Sequence, residues 1–139
     1  MDLEQYKDYF NKSDRFSLLC GMRLIEIREG YAKVELTIDE NSMNYMGSVH
    51  GGLLYTMADV AAGTATASRG KQCVTMSANT DYIRPVLRGK VTAEARVIAF
   101  GRTVCRTQVD ICGQDGKLYA KSSINMFVTD KEIHVCLNK

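Results

Sequence analysis

The sequence predicts an α+β protein in which one long helix lies on one antiparallel sheet of about six strands. Three observations support this prediction. A single apolar segment with helical spacing begins at residues 50–52 and ends near Gly70. Two alternating runs precede it, and four long runs rich in Val, Thr, Ile and Tyr follow it, separated by glycine. A helix and a sheet that each have one apolar face bury those faces against each other.

The predicted central helix follows a polar loop at residues 39–49. Its apolar residues recur at steps of three and four, the period of a helix with one buried face. They are Leu53, Leu54, Met57, Val60 and Ala61. Gly70 is expected to end this helix, because glycine readily adopts the left-handed conformation found after a helix.

The strands are predicted from alternation and from turn residues. Residues 31–38 alternate between apolar and polar side chains and form a hairpin with the run before Gly30. Asp115-Gly116 marks a second hairpin turn. Before the first strand, residues 2–11 carry apolar side chains at helical spacing, which indicates a short amphipathic helix.

Composition indicates an ordinary globular protein. The chain has 139 residues, 45% of them hydrophobic, and a net charge of +2, so we expect a single domain spanning residues 1–139. Its Lys and Arg residues are dispersed, which gives no reason to expect a nucleic-acid partner. No apolar run is long enough to span a bilayer, so no membrane partner is expected.

The N-terminus and the cysteines predict a cytoplasmic location. The first residues lack the basic and apolar regions of a signal peptide. The five cysteines are odd in number and scattered, with no CxxC pair. We therefore expect reduced thiols and neither a disulfide nor a metal site.

The junction between the polar loop and the central helix is the first candidate for a functional site. Gly51 and Gly52 leave the backbone bare there, and the first N–H groups of a helix have no acceptor within it. Such donors can hold a developing negative charge.

Asp59 is the second candidate. It is the only acid between Glu40 and Asp81 and stands among apolar residues. A desolvated carboxylate without a partner costs free energy. Asp59 is therefore either a structural acid paired with an arginine or a group with a chemical task.

His50 and Asp59 cannot easily serve one small reaction centre within one chain. They are nine residues apart, so in a helix they point to opposite sides and are separated by about 13.5 Å along the axis. In a two-fold dimer with antiparallel helices, the glycine turn of one chain would lie opposite the aspartate of the other. The active site would then be shared.

These residues resemble those of the hotdog-fold acyl-CoA thioesterases, specifically the PaaI-type branch of the phenylacetate pathway. The resemblance rests on Asn44, the HGG motif at residues 50–52, Asp59 nine residues after the histidine, and the run NTDYIRPVLRG at residues 79–89. It covers nearly the whole chain. It implies a hotdog fold, in which a curved antiparallel sheet wraps the long helix. It also implies a homodimer with shared active sites, and dimers that pair into a homotetramer.

The resemblance also implies roles for individual residues. Asp59 would activate the attacking water or attack the thioester carbon itself, and the sequence leaves both possibilities open. The Gly51 backbone N–H would bind the thioester oxygen, with Asn44 assisting. His50 would hold the loop and contact the substrate.

Thr75 falls where relatives carry a serine or threonine that orients the water beside the aspartate. In a regular strand Ser77 would lie on the same face as Thr75. The chemistry implied here needs no metal and no cofactor, with the coenzyme A thioester as substrate. Its thiolate leaving group needs little or no assistance from an acid.

The remaining predicted contacts are with the substrate. Arginine suits the phosphates of coenzyme A. The acyl chain is expected to run between the two central helices of the dimer, past Leu53, Leu54, Tyr55 and Met57. The predicted substrate-binding residues are Gly52, Leu54, Tyr55, Arg84, Arg88 and Arg102.

The leading hypothesis is therefore an acyl-CoA thioesterase that hydrolyses small or medium acyl groups, aryl groups included. Two alternatives share the fold. One is a non-catalytic domain that binds or senses acyl-CoA, and the other is an acyl-thioester dehydratase or hydratase. Release of free thiol from acyl-CoA distinguishes the leading hypothesis from both.

Overall fold

A computed structural model of the protein describes residues 1–136. In chain order its helices and strands are α1 (Leu3–Ser13), α2 (Arg15–Leu19), β1 (Met22–Arg28), β2 (Tyr31–Thr37), a short 3-10 turn (Glu40–Ser42), α3 (Gly51–Ala67), β3 (Lys71–Tyr82), β4 (Lys90–Phe100), β5 (Val104–Gly113) and β6 (Leu118–Glu132).

The six strands form one antiparallel sheet in the order β1-β2-β4-β5-β6-β3. The long helix α3 packs on one face of this sheet and contacts all six strands. This confirms the predicted α+β fold class.

Small side chains let α3 lie close to the sheet. Ala58, Ala61, Ala62 and Ala65 have no exposed surface, and Met57 is equally buried. The larger side chains of the core come mainly from the strands and include Leu24, Val34, Leu36, Val91, Ile111 and Ile124. Dense packing of this kind fixes α3 relative to the sheet.

Strand β3 forms one edge of the sheet and carries an irregularity. Within residues 1–136 it pairs with β6 alone. The pairing register shifts between Thr75 and Ser77, which leaves Met76 as an extra residue. A bulge of this kind reverses the alternation of side chains between the two faces. Thr75 and Tyr82 therefore both face α3, although their spacing is odd.

The side chain of Asn11 joins helix α1 to β1, the other edge strand. The Asn11 amide nitrogen donates to the Leu24 carbonyl at 2.8 Å, and the Asn11 amide oxygen accepts from the Leu24 N–H at 2.9 Å. The amide thus pairs with both backbone groups of a residue in β1. This contact fixes where α1 lies.

Among residues 1–136, no helix is both long enough and apolar enough to cross a membrane. The cytoplasmic location stays a prediction.

Candidate active site

His50 caps the N-terminus of α3 with its side chain. The His50 Nδ1 atom accepts a hydrogen bond from the Gly52 N–H at 2.9 Å. A Cβ atom on Gly52 would lie only 3.0 Å from that Nδ1, so a side chain there would displace the cap. The histidine thus binds its own helix start, and both of its predicted roles, holding the loop and contacting the substrate, stay predictions.

The Gly51 N–H donates to no acceptor within residues 1–136. The first N–H groups of a helix have no intrahelical partner, and the positive end of the helix dipole is located there. Gly51 therefore offers an unused donor at the position predicted to bind the thioester oxygen.

Tyr82 packs over the same glycine, a contact that sequence reasoning missed. Its hydroxyl donates to the Gly51 carbonyl at 2.8 Å, and its ring lies 3.4 Å from the position of a Gly51 Cβ. Burial, followed by the nearby Tyr55, raises the pKa of Tyr82, so its hydroxyl keeps its proton. Tyr82 belongs to the NTDYIRPVLRG run, but only the bulge in β3 turns it towards α3.

Asn44 holds the loop before α3. Its side-chain oxygen accepts from the Met46 N–H at 2.9 Å and the Ser48 N–H at 3.2 Å, and its nitrogen donates to the Ser48 hydroxyl at 3.1 Å. Its polar atoms are thus engaged within the loop. The assisting role at the thioester oxygen stays a prediction.

Asp59 and Thr75 form the other half of the predicted site. The Thr75 hydroxyl donates to Asp59 Oδ1 at 2.6 Å. Asp59 Oδ2 accepts no hydrogen bond from the residues that the structure describes, and its side chain is only partly buried. One carboxylate oxygen is therefore held in place, and the other is free to meet a water or a substrate.

The structure corrects the expectation for Ser77. The bulge at Met76 turns Ser77 to the outer face of the sheet, where its hydroxyl accepts from the Asn125 amide at 3.0 Å. Ser77 therefore does not share a face with Thr75. The register shift that separates them gives no signal in the sequence.

Cys73 lies next to this carboxylate and lines the same pocket. Burial raises the pKa of its thiol to about 11, with smaller contributions from Cys105 and Asp59. Because the thiolate is the nucleophilic form, Cys73 is not a nucleophile at neutral pH. Asp59, and not Cys73, is therefore the group in this part of the pocket that can act as a base or a nucleophile.

A pocket of about 580 Å³ opens beside Asp59 and Thr75. It runs along the C-terminal half of α3, which contributes Asp59, Val60, Gly63, Thr64 and Ala67. Strand β3 lines a second side, and aromatic residues of α1 line a third. The pocket was missed in the sequence because nothing local indicates what the amphipathic helix α1 packs against.

The residues predicted to line the acyl path lie on the first half of α3, outside the pocket beside Asp59. A path between the two helices of a dimer stays a prediction. None of Leu53, Leu54, Tyr55 or Met57 lines the pocket. Leu54 is only 3% exposed and belongs to the core, so it presents almost no surface to a ligand. Tyr55 is exposed, and its hydroxyl lies 3.4 Å from the Ala78 carbonyl.

The two halves of the predicted site are not joined within one protomer. Asn44, His50, Gly51 and Gly52 are all absent from the pocket that contains Asp59. Asp59 lies eight positions after Gly51 in α3, which corresponds to about 12 Å along the helix axis.

Three arginines predicted to bind phosphate are exposed. Arg84 follows β3 and stands 5.9 Å from the ring centroid of Tyr119. Arg88 precedes β4, and Arg102 follows it. Within residues 1–136 none of the three forms an ion pair. Because β4 separates Arg88 from Arg102, they do not form one cluster in a single protomer.

Comparisons with known proteins agree with this architecture. Residues 46–120 match the family model described as the thioesterase superfamily. A putative esterase of Archaeoglobus fulgidus is 31% identical, over 85% of this chain and 77% of that protein. The acyl-coenzyme A thioesterase PaaI of Escherichia coli is also 31% identical, over 78% of this chain and 79% of that protein.

Solved structures are similar over most of the chain. The structure of the E. coli PaaI protein from the phenylacetic acid degradation operon matches with a TM-score of 0.90 and 27% identity, covering 95% of this chain and 96% of that one. A Streptococcus mutans protein, solved bound to acetyl-CoA, matches with a TM-score of 0.77 and 27% identity, covering 81% and 91% of the two chains.

The long helix on a curved six-stranded antiparallel sheet is thus the hotdog fold. The chain belongs to the thioesterase superfamily, in the PaaI-type branch of its hotdog-fold acyl-CoA thioesterases. It is accordingly a thioester hydrolase.

Proposed function

We propose that the protein hydrolyses small or medium acyl-CoA thioesters, aryl groups included, to the free acid and coenzyme A. The observation that supports this most directly is the state of Asp59, with one oxygen held by Thr75 and the other open to a pocket. The unused Gly51 N–H at the start of α3 is the complementary feature.

In the proposed reaction, Asp59 Oδ2 takes a proton from a water whose oxygen attacks the thioester carbon. The electron pair of the carbonyl moves to its oxygen, which the Gly51 N–H stabilises. A backbone donor of this kind contributes roughly 3–4 kcal/mol to lowering the barrier. When the carbonyl re-forms, the carbon–sulfur bond breaks and coenzyme A leaves as a thiolate.

A second route uses the same residues. The Asp59 carboxylate attacks the thioester carbon, coenzyme A leaves as a thiolate, and water then hydrolyses the resulting anhydride. Single-turnover hydrolysis in water labelled with heavy oxygen distinguishes the routes. The label enters the Asp59 carboxylate only when a water attacks the anhydride on the aspartyl side.

A shared site in a two-fold dimer would unite the two halves. Helix α3 runs antiparallel to β3, with Gly51 beside Tyr82 and Asp59 beside Thr75. If the free edges of two β3 strands pair antiparallel with Thr75 opposite Tyr82 of a second copy, Asp59 faces Gly51 of that copy. Neighbouring strands lie only about 4.8 Å apart.

The free edge of β3 supports such pairing. Val74 is 58% exposed and Met76 is 55% exposed, and an apolar edge strand with free backbone groups tends to pair with another chain. The tetramer implied by the family resemblance stays a prediction.

The same pairing would bring together arginines that one protomer keeps apart. Arg84 and Arg88 lie between the end of β3 and the start of β4, whereas Arg102 lies just after the end of β4. In an antiparallel pair, Arg102 of one copy approaches Arg84 and Arg88 of the other. We propose that these guanidinium groups bind the phosphates of coenzyme A, and acetyl-CoA bound to the S. mutans neighbour supports that substrate class.

A thiol-release assay over acyl-CoAs of different length and aromaticity tests the proposed function, with Asp59→Asn as the key variant. We expect turnover by the wild-type protein and its loss in Asp59→Asn, with an unchanged circular dichroism spectrum. Binding of acyl-CoA without thiol release would instead identify a binding or sensing domain. Undiminished turnover in Asp59→Asn would exclude the proposed mechanism.

A further inference from the structure

The pocket beside Asp59 has a wall that the proposed mechanism does not use. Tyr6, Tyr9 and Phe10 of α1 line it, opposite the C-terminal half of α3. Helix α1 begins beside the end of α3, since the Met1 Cβ lies 4.0 Å from the position of a Gly70 Cβ. It thus covers the pocket from the end remote from Gly51.

This wall is held in place rather than loosely packed. Asn11, the residue after Phe10, pairs with both backbone groups of Leu24 at 2.8 and 2.9 Å. The Asp2 carboxylate caps the first turn of α1 by accepting from the Gln5 N–H at 3.0 Å. A rigid wall can discriminate between ligands by size.

The opposite wall lacks a side chain at one position, Gly63. Gly63 faces the pocket from the C-terminal half of α3, and a Cβ there would make ordinary contact with the end of Met126 at 3.6 Å. From Asp59 to Ala67 the pocket follows α3 over nine residues, which are eight helical steps or about 12 Å. The pocket therefore has a limited length, and it begins at Asp59, the proposed reacting group.

Of the described residues that line the pocket, Asp14 and Asp59 alone carry a charge. Burial raises the pKa of the Tyr6 phenol well above its ordinary value, with further contributions from Cys73 and Asp14. The Cys73 thiol is likewise protonated at neutral pH. These neutral and aromatic groups suit an apolar ligand.

We infer that α1 and Gly63 form the acyl-selecting walls of the site, so that Tyr6, Tyr9 and Phe10 limit the acyl group to medium length and exclude long fatty acyl chains. This inference rests on the proposed function and assigns the acyl subsite within it. Asn11 acts as a positioning residue for the selecting wall.

Two substitutions change the pocket in opposite directions. Gly63→Ala narrows it with a side chain that the site accommodates and that a helix favours, and Tyr9→Ala widens it. Phe16→Ala is the matched control, because Phe16 is 61% exposed on α2 and does not line the pocket. Butanoyl-, octanoyl- and hexadecanoyl-CoA are the substrates.

We expect Gly63→Ala to lower the octanoyl-to-butanoyl ratio of kcat/KM by roughly tenfold, since one methyl group in an apolar pocket has an effect of about this size. Tyr9→Ala should raise the hexadecanoyl-to-octanoyl ratio, and Asn11→Ala should weaken discrimination across the series. Phe16→Ala should leave all ratios unchanged. If Gly63→Ala and Tyr9→Ala leave every ratio as in the wild-type protein, the inference is wrong.

Binding of thioether analogues separates this inference from the proposed reaction. S-butyl-, S-octyl- and S-hexadecyl-CoA lack the carbonyl and cannot be hydrolysed. Since they share the coenzyme A portion, differences among their calorimetric Kd values report how the pocket accommodates the chain. A loss of S-octyl affinity in Gly63→Ala, with S-butyl affinity retained, supports the inference even if no thiol is released from acyl-CoA. Affinities independent of chain length would overturn it even in an active hydrolase.

Discussion

Thr75 and Tyr82 lie seven residues apart on β3 yet contact the same helix, Thr75 at Asp59 and Tyr82 at Gly51. The bulge at Met76 makes this possible, because it reverses the alternation between the two residues. One edge strand thereby contacts both halves of the proposed site, Asp59 and Gly51. The functional consequence of each contact can be tested separately.

Thr75 should matter through its hydroxyl rather than its shape. Thr75→Val removes the donor to Asp59 Oδ1 and keeps a β-branched side chain, so the carboxylate loses its orientation. We expect kcat to fall roughly 10- to 100-fold, because a hydrogen bond to a charged group contributes about 1.5–3 kcal/mol. Thr75→Ser retains the donor and should stay within a few-fold of wild type. Equal activity of the Val and Ser variants would remove the hydrogen bond from the mechanism.

Features that depend on local interactions could be predicted from the sequence, whereas features that depend on contacts between distant segments could not. The central helix and the HGG turn were predictable because their signals are local: a period of three to four residues and a bare backbone before it. Asp59 was identifiable as the only acid in an apolar stretch. Those features are encoded within one segment, so a single sequence is enough to find them.

The missed features depend on contacts between distant segments. The bulge at Met76 is decided by pairing with β6, so the face of Ser77 and the reach of Tyr82 could not be read from β3 alone. The α1 aromatic wall depends on the Asn11 contact with Leu24, thirteen residues further on. A short amphipathic helix specifies an apolar face but not its partner.

The glycines of α3 should respond to alanine in opposite ways. A Cβ on Gly52 would lie 3.0 Å from the His50 Nδ1, whereas one on Gly63 would lie 3.6 Å from Met126. Gly52→Ala should displace the cap and cost about 1 kcal/mol of folding stability. Gly63→Ala should gain about 0.5–1 kcal/mol from helix propensity. Urea unfolding measures both, and destabilisation of the same size in the two variants would contradict the packing described for His50.

Cys73 predicts a component of the alkaline stability profile. Its pKa is raised from the ordinary 9.0 to about 11 by burial, so between these values the unfolded chain has released the proton and the folded chain retains it. The unfolded state binds fewer protons there, and the free energy of unfolding therefore falls as pH rises. The stabilising contribution is complete below pH 9 and is lost between pH 9 and 11.

The measurement is urea unfolding at intervals from pH 8 to 11. Cys73→Ala should flatten the decline relative to the wild-type protein, whereas Cys136→Ala is a control because Cys136 is exposed. Iodoacetamide should also label Cys73 slowly at pH 8 compared with Cys136. Rapid labelling of Cys73 in the folded protein at pH 8 would contradict its assignment as a protonated thiol.

The role of the Gly51 N–H can be isolated with proline. Gly51 is the first residue of α3, a position that favours proline, and His50 already has the extended backbone that precedes one, with φ −60° and ψ 128°. Gly51→Pro therefore removes the proposed donor while the helix can still begin. We expect kcat to fall by about 10²–10³-fold, and Gly51→Ala, which retains the N–H, to fall much less. Equal losses in the two variants would indicate a steric effect against Tyr82 instead.

Mixed dimers of two inactive variants test whether the site is shared. In a dimer of one Gly51→Pro chain and one Asp59→Asn chain, the Asp59 of the first chain can still face the Gly51 N–H of the second. The other site of that dimer carries both substitutions. Because random mixing gives mixed dimers half of the time, the population should regain about a quarter of wild-type activity.

If each site were contained within one protomer, every site in the mixture would carry one of the two substitutions and would be inactive. Recovery of activity after co-expression therefore distinguishes a shared site from a site within one protomer. Separately purified variants that are combined without subunit exchange provide the control, and they should stay inactive. A co-expressed mixture that is no more active than its components would mean that Asp59 and Gly51 do not act across the dimer.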